Sequence, residues 1–444
     1  MKFTVYCYLV FLLASSAAQA TEAPYELQWV SQLGTGNNDS SSSVAIDGSG
    51  NAYISGGTGG SLGGTNAGSS DAFLAKYDSS GALLWTRQIG TTDWDWSNSV
   101  AVDGYGNAYI SGTTGGSIGG QNAGGFDAFL AKYDSSGALL WTRQLGTSDW
   151  DISNSVAIDG SGNAYISGWT DGSIGGPNAG GPDAFLAKYD SSGSLLWTRQ
   201  LGTSSSDVSS SVAIDGSGTG NTYISGQTLG SLGGPNPSGN SFAFLAKYDN
   251  SGELLWTRQL GTGMGDISLS VASDRSGNAY ISGYTKGNIS GLNAGGDDAF
   301  LAKYDGSGAL LWTRQLGTST HDWSYSVAID DSGNAYITGW TDGNIGGPND
   351  GGHDAFLAKY DPSGTLLWTR QMGTSNHDFG MSVAIDGENA YISGETWGSL
   401  GGPNAGYTDA FLAKYSPIPE PGTIALIVPA LLGFAGMAWR RTRK

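Results

Sequence analysis

Seven tryptophans stand in polar, glycine-rich stretches rather than in apolar runs: Trp94, Trp96, Trp150, Trp169, Trp323, Trp340 and Trp397. Flat indole faces bordered by amides and carboxylates suit sugar rings, which stack on the one and hydrogen-bond to the other. These residues are therefore the candidate ligand-binding set. The alternative is that Trp94, Trp150 and Trp323 fill gaps between structural units. A second set is acidic: Asp39, Asp95, Asp151, Asp207, Asp266, Asp322 and Asp378 each stand five residues before the valine of a Ser-Val-Ala phrase. A ring of seven carboxylates would repel itself without hydrogen bonds or a cation. Each Asp accepting backbone N–H groups in its own turn meets that need. Calcium is the alternative, which makes the seven weak metal candidates. The Asp47-Gly-Ser-Gly-Asn51 type loops lack the acidic density and distal Glu of a calcium-binding helical hand, and are not read as metal sites.

Little else is built for catalysis. The chain has no G-x-S-x-G, H-E-x-x-H, phosphate loop or dinucleotide fingerprint. Its three histidines, His321, His353 and His377, fall in loops. Paired carboxylates can cleave glycans, yet these acids recur in every unit, whereas catalysis needs one distinct constellation. The expectation is a protein that is not an enzyme and needs no cofactor, calcium being the open question. A formal charge of -19 repels phosphate backbones, which argues against nucleic acid as a partner. The single cysteine, Cys7, allows no disulfide scaffold.

The elements that position these residues are set by repetition. The tryptophan of the Leu-Leu-Trp-Thr-Arg-Gln phrase, or its equivalent, recurs at Trp29, Trp85, Trp141, Trp197, Trp256, Trp312 and Trp368. The spacing is 56 residues throughout except for one step of 59. Each unit holds four short runs rich in aromatic and β-branched residues, bounded by Gly, Asn, Asp and Ser. Such runs read as strands joined by tight hairpins, and none is long enough for a helix. With 74 glycines and 13% charged residues, the chain has the composition of a turn-rich all-β protein.

Four antiparallel strands in each of seven units predict a seven-bladed β-propeller. The chain enters on the Trp29 run and leaves on the run Ala410 to Tyr415, so the N-terminal strand should complete the last blade and close the ring. With strands labelled a to d from the Ser-Val-Ala run outward, the a–b and c–d turns share one face and are nearly constant. The b–c and d–a loops share the other face, vary from unit to unit, and carry the seven loop tryptophans. Arg87 and its equivalents, with Lys76 and its equivalents, read as a ladder of rim charges.

The phrases Val-Ala-Ile-Asp-Gly-Ser-Gly-Asn-Ala-Tyr-Ile-Ser-Gly, Asp-Ala-Phe-Leu-Ala-Lys-Tyr-Asp and Ser-Gly-Ala-Leu-Leu-Trp resemble the bacterial β-propeller repeat family (SBBP) across about residues 26 to 415. The resemblance implies a propeller and no common catalytic residues.

The two ends read as addresses. Residues 1–20 carry Lys2, an apolar run and the A-x-A type site Ala18-Gln19-Ala20, the pattern of a secretory signal. Residues 21–416 are the propeller. Residues 417–444 hold Pro419-Glu420-Pro421, an apolar stretch able to span a membrane once, and a cluster that includes Arg440 and Arg441. That order resembles the PEP-CTERM sorting signal of Gram-negative bacteria that make exopolysaccharide. The resemblance implies an exosortase-type membrane protease as partner during export, a transient inner-membrane anchor, and a final location on the cell surface or in the extracellular matrix; the loop tryptophans make exopolysaccharide the candidate partner there. A permanent anchor is the alternative.

Overall fold

Each unit folds as a four-stranded sheet, and seven sheets stand around one axis as a β-propeller. The structure is a computed structural model that describes residues 25–418, in which every regular element is a strand. The expected signal at 1–20 and the tail residues Pro419, Glu420, Pro421, Arg440 and Arg441 lie outside the described residues. No helix among the described residues is long and apolar enough to cross a membrane.

In the first blade the strands run from the inside outward as Asp39–Ile46, Ala52–Thr58, Asp71–Tyr77 and Leu83–Ile89, each antiparallel to the next. Glycines close the hairpins in the left-handed conformation that other residues avoid, as at Gly50 (φ 77°) and Gly81 (φ 87°). The second and third strands are buried along their whole length, because neighbouring blades cover both of their faces. That is why Ala-Phe-Leu-Ala reads as a continuous apolar run rather than an alternating one. Between blades 1 and 2, Tyr53, Ala72 and Leu74 pack on Val100, Ile110, Phe129 and Tyr133.

The last sheet consists of Asp378–Asp386, Asn389–Thr396 and Asp409–Pro417, with Tyr25–Leu33 as its outermost strand. The N-terminal strand reproduces the side-chain bonds of the other outer strands. Gln32 Nε2 donates to Asp409 Oδ2 at 2.8 Å, as Gln88 Nε2 does to Asp71 Oδ2 at 2.9 Å. Closure is also visible at the inner edge. A β-bulge at Ser41/Ser43 and its six equivalents interrupts the ladder. The serine just after it accepts the valine N–H of the following blade. This bond, at 3.2 Å, recurs at all seven junctions, including Val44 to Ser382 between the last blade and the first. A stack open at one end would break that circle.

The basic repeat residues are not a rim ladder. Lys76 is buried, 3.4 Å from Asp47 Oδ2, with its ammonium over the Tyr53 ring and donating to Ser135 O of the next blade. Arg87 lies against Trp85 and donates to Gly137 O and Ser136 O, again across the junction. Both fasten one blade to the next because the adjacent constant turn presents backbone carbonyls to them. The outer rim carries leucines instead: Leu83 and Leu84, and the corresponding pairs in the next five blades, are exposed.

Candidate functional site

The seven-fold acidic set stands at the start of the innermost strands and is fully buried. Asp95 Oδ2 accepts the Thr91 N–H and Thr91 Oγ1, and Asp95 Oδ1 accepts Thr114 Oγ1. Its backbone N–H donates to Ser70 O at 2.9 Å. The carboxylate thus closes the d–a loop and ties it to strand b. Equivalent threonine bonds hold Asp39, Asp151, Asp207, Asp266, Asp322 and Asp378. The central channel is lined by the Val-Ala-Ile segments. Burial raises the pKa of Asp39, Asp95, Asp151, Asp207, Asp322 and Asp378 above the ordinary 3.8, and the threonine hydrogen bonds oppose part of that rise. Among the described residues no group of three or more His, Cys, Asp or Glu side chains is placed to hold a metal ion.

Because Asp95 and its neighbours fix the d–a loops, the residues on either side of each Asp are displayed on the variable face. In blade 2 those residues are Trp94 and Trp96, whose rings stack at 5.9 Å. The corresponding positions in blade 1 hold Asn38 and Ser40, and the facing end of its second strand holds Gly57 and Gly59. Blade 1 therefore has small residues where other blades have large ones, and a cleft of about 680 Å³ opens over it. Trp94 and Trp96 form one wall. Trp397, Tyr407 and Glu395 of blade 7 contribute the other. Asn37, Asn38, Ser40, Ser69, Ser70 and Thr408 supply amides and hydroxyls. Trp94 is 54% exposed and Trp397 48%, so part of each indole is accessible to a ligand. The volume falls within the range of small-ligand sites.

The other candidate tryptophans extend this surface unequally. Trp150, also exposed, packs edge-on to Phe126 and lies beside the half-buried Trp169. These three residues line a second cleft of about 430 Å³ together with Trp94 and Trp96. On the other side, Trp323 is stacked on Tyr284 at 4.0 Å and 9°, and burial pushes the Tyr284 hydroxyl up to about 12. Trp340 is only 8% exposed, beneath His353 and Phe379, so it supports the surface rather than offering a face to a ligand. From Trp340 the ring contacts continue through His353 and His377 to Trp397. Aromatic groups thus stand over blades 5, 6 and 7 and over blades 2 and 3, with the cleft of blade 1 between the two groups. Blade 4, with Ser206, Val208 and Gln227 at the variable positions, separates them on the other side of the ring.

Sequence reasoning did not find Tyr407, Phe126 or the polar floor of the cleft. The available signal was subtractive, namely that Asn38, Ser40, Gly57 and Gly59 are small at the variable positions.

Five segments, 28–63, 84–120, 140–176, 255–290 and 311–347, match the SBBP family, described as a beta-propeller repeat. The chain carries SBBP repeats. The two unmatched units have altered first turns, longer at Asp215–Asn221 and shorter at Asp386–Asn389. Over 369 residues the chain is 26% identical to the regulatory protein FlaEY of Caulobacter vibrioides, covering 73% of this chain and 38% of that protein. It is 22% identical over 435 residues to an uncharacterized WD repeat-containing protein, L264, of Acanthamoeba polyphaga mimivirus, covering 74% of this chain and 31% of that protein. The chain thus spans about a third of the length of these curated relatives. Among solved structures, the WD40 β-propeller domain of Doa1 superposes with a TM-score of 0.52 at 11% identity, covering 89% of this chain and 98% of that domain. That likeness concerns the fold alone.

Proposed function

We propose that this chain is an exported, non-catalytic binding protein of a bacterial surface or extracellular matrix, and that it holds polysaccharide in the cleft over blade 1, between walls from blades 7 and 2. The observation that carries the reading is the pair of half-exposed indoles, Trp94 and Trp397, on either side of a floor of amides and hydroxyls. Such a site offers stacking to the apolar faces of a sugar and hydrogen bonds to its edges. Export, and removal of the tail by an exosortase-type protease, rest on the A-x-A site and on the order Pro419-Glu420-Pro421, apolar stretch, Arg440-Arg441. The test is tryptophan fluorescence of the full chain titrated with the producer's own polysaccharide. Saturable quenching that Trp94→Ala abolishes supports the reading, and unchanged emission contradicts it. Mass spectrometry of the C-terminus in fractionated producer cells reports location and tail removal together.

A second reading, a matrix scaffold acting through protein contacts, is favoured by the exposed leucine pairs around the rim. It predicts self-association or partner capture that is lost when Leu83 and Leu84 are changed to Ser, with no response to polysaccharide.

A further inference from the structure

Glu395 is the one charged residue in the lining of the cleft over blade 1. At its strand position the other blades carry Gly57, Thr113, Trp169, Gln227, Tyr284 and Trp340, so the acid is a departure from the repeat rather than part of it. Unlike the buried ring of aspartates, it is partly exposed, and no described residue pairs with its carboxylate by hydrogen bond or salt bridge.

With one exception, lysines and arginines are kept away from this end of the molecule, where the other basic groups are the imidazoles of His321, His353 and His377. Lys76, Lys132, Lys247 and Lys303 are paired with aspartates of the a–b turns on the opposite face. Arg87 and its equivalents donate to the c–d turns of that same face. Among the described residues, Lys286, in blade 5, is the only lysine or arginine in the variable loops. Asp93, Asp149 and Asp171 on the variable face add exposed negative charge near the loop tryptophans.

Taking the glycan-binding reading above as its basis, we infer that the cleft selects polymers of amino sugars whose amines are free and protonated. A sugar ammonium fits this lining in two ways. It forms a charge-assisted hydrogen bond to an unpaired carboxylate, and it gains from lying against the negative faces of Trp94 and Trp397. A uronate or a sulfated sugar meets Glu395, the nearby aspartates and a net charge of -19, with no lysine or arginine in the cleft lining to receive it. An N-acetylated sugar retains the stacking and loses the ion pair.

The experiment titrates the full chain, at mildly acidic pH, with hexamers of glucosamine, N-acetylglucosamine and galacturonate. The glucosamine hexamer is expected to bind about tenfold more tightly than the N-acetylated one, the size of one good charge-assisted contact. Glu395→Gln should remove that preference while N-acetylglucosamine binding persists. Asp78→Asn removes the same charge from a c–d turn on the far face and should leave the preference intact, which separates a local contact from general attraction of a polycation. Equal or tighter binding of the N-acetylated or uronate hexamer, or a preference that survives Glu395→Gln, overturns the amino-sugar inference and leaves glycan binding standing. Absence of binding by all three hexamers and by the producer's polysaccharide overturns both.

Discussion

The indole of Trp96 lies across Gly57: a Cβ added to that glycine would fall 2.0 Å from Cε3 of the ring. The Trp96 Nε1–H donates to Ser42 Oγ at 3.1 Å, which anchors the ring in this position. One wall of the cleft therefore depends on a missing side chain in the neighbouring blade.

Gly57→Ala is accordingly expected to displace Trp96, costing about 1–3 kcal/mol in the manner of overpacking. Denaturant unfolding measures the loss, and a shift in tryptophan emission reports the moved ring. Gly104, whose added Cβ would meet nothing within 4 Å, provides the control. If Gly57→Ala is as neutral as Gly104→Ala, the packing described for this wall is contradicted.

The blade-to-blade fastening by lysine makes a second prediction. Lys247 Nζ is 2.9 Å from Asp215 Oδ2, and both side chains are nearly inaccessible. Lys247→Met leaves a buried carboxylate without its cation and should destabilise the protein by about 3 kcal/mol. The double variant Lys247→Met/Asp215→Asn should recover part of that loss. Thermal or chemical denaturation of the three proteins gives the comparison, and a single variant as stable as the parent would show that the pair is not a fastening.

Stability should have an unusual acid limb. The six aspartates of the inner ring with raised pKa values, and Asp354 with them, bind protons more tightly when folded than when unfolded. As pH falls from neutrality through their folded pKa values toward 3.8, their ionisation penalty is relieved and stability rises. Loss of self-repulsion in a chain of charge -19 acts in the same direction. The opposite sign holds for Asp78, Asp134, Asp190, Asp249 and Asp305. Their pKa values are lowered, chiefly by hydrogen bonds from Ser80, Ser136, Ser192, Ser251 and Ser307. Their stabilisation is present above 3.8 and is lost as pH drops through their folded values below it. Melting temperature should therefore climb on moderate acidification and fall only below about 3.8. Asp95→Asn should flatten the climb, and a steady decline from neutral pH would contradict the assignment.

The propeller was legible because the same phrases recur at a fixed spacing, so each turn and strand position is seen seven times. Closure was legible from the phase offset between Trp29 and Tyr415. Lys76 misled because its burial depends on the Ser135 carbonyl in the following blade, a relation that no pattern within one unit encodes. Trp340 and Trp169 occupy the same register, yet His353 and Phe379 cover the first while the second stays half-exposed. Exposure of these tryptophans is decided by neighbouring loops, so residue type and position could nominate the aromatic set but could not rank it.

The cleft lies over blade 1 and takes one wall, Trp397 and Tyr407, from blade 7, and so requires Tyr25–Leu33 to complete that last sheet as its outer strand. Amide hydrogen exchange of that segment reads the requirement out. The amides of residues 26–33 that lie in the sheet should be protected as well as those of Leu83–Ile89, and Gln32→Ala should weaken them together with the Asp409–Pro417 strand. Exchange of 26–33 at the rate of an unstructured peptide, with Leu83–Ile89 protected, would mean that the ring is not closed this way and that Trp397 does not stand across from Trp94.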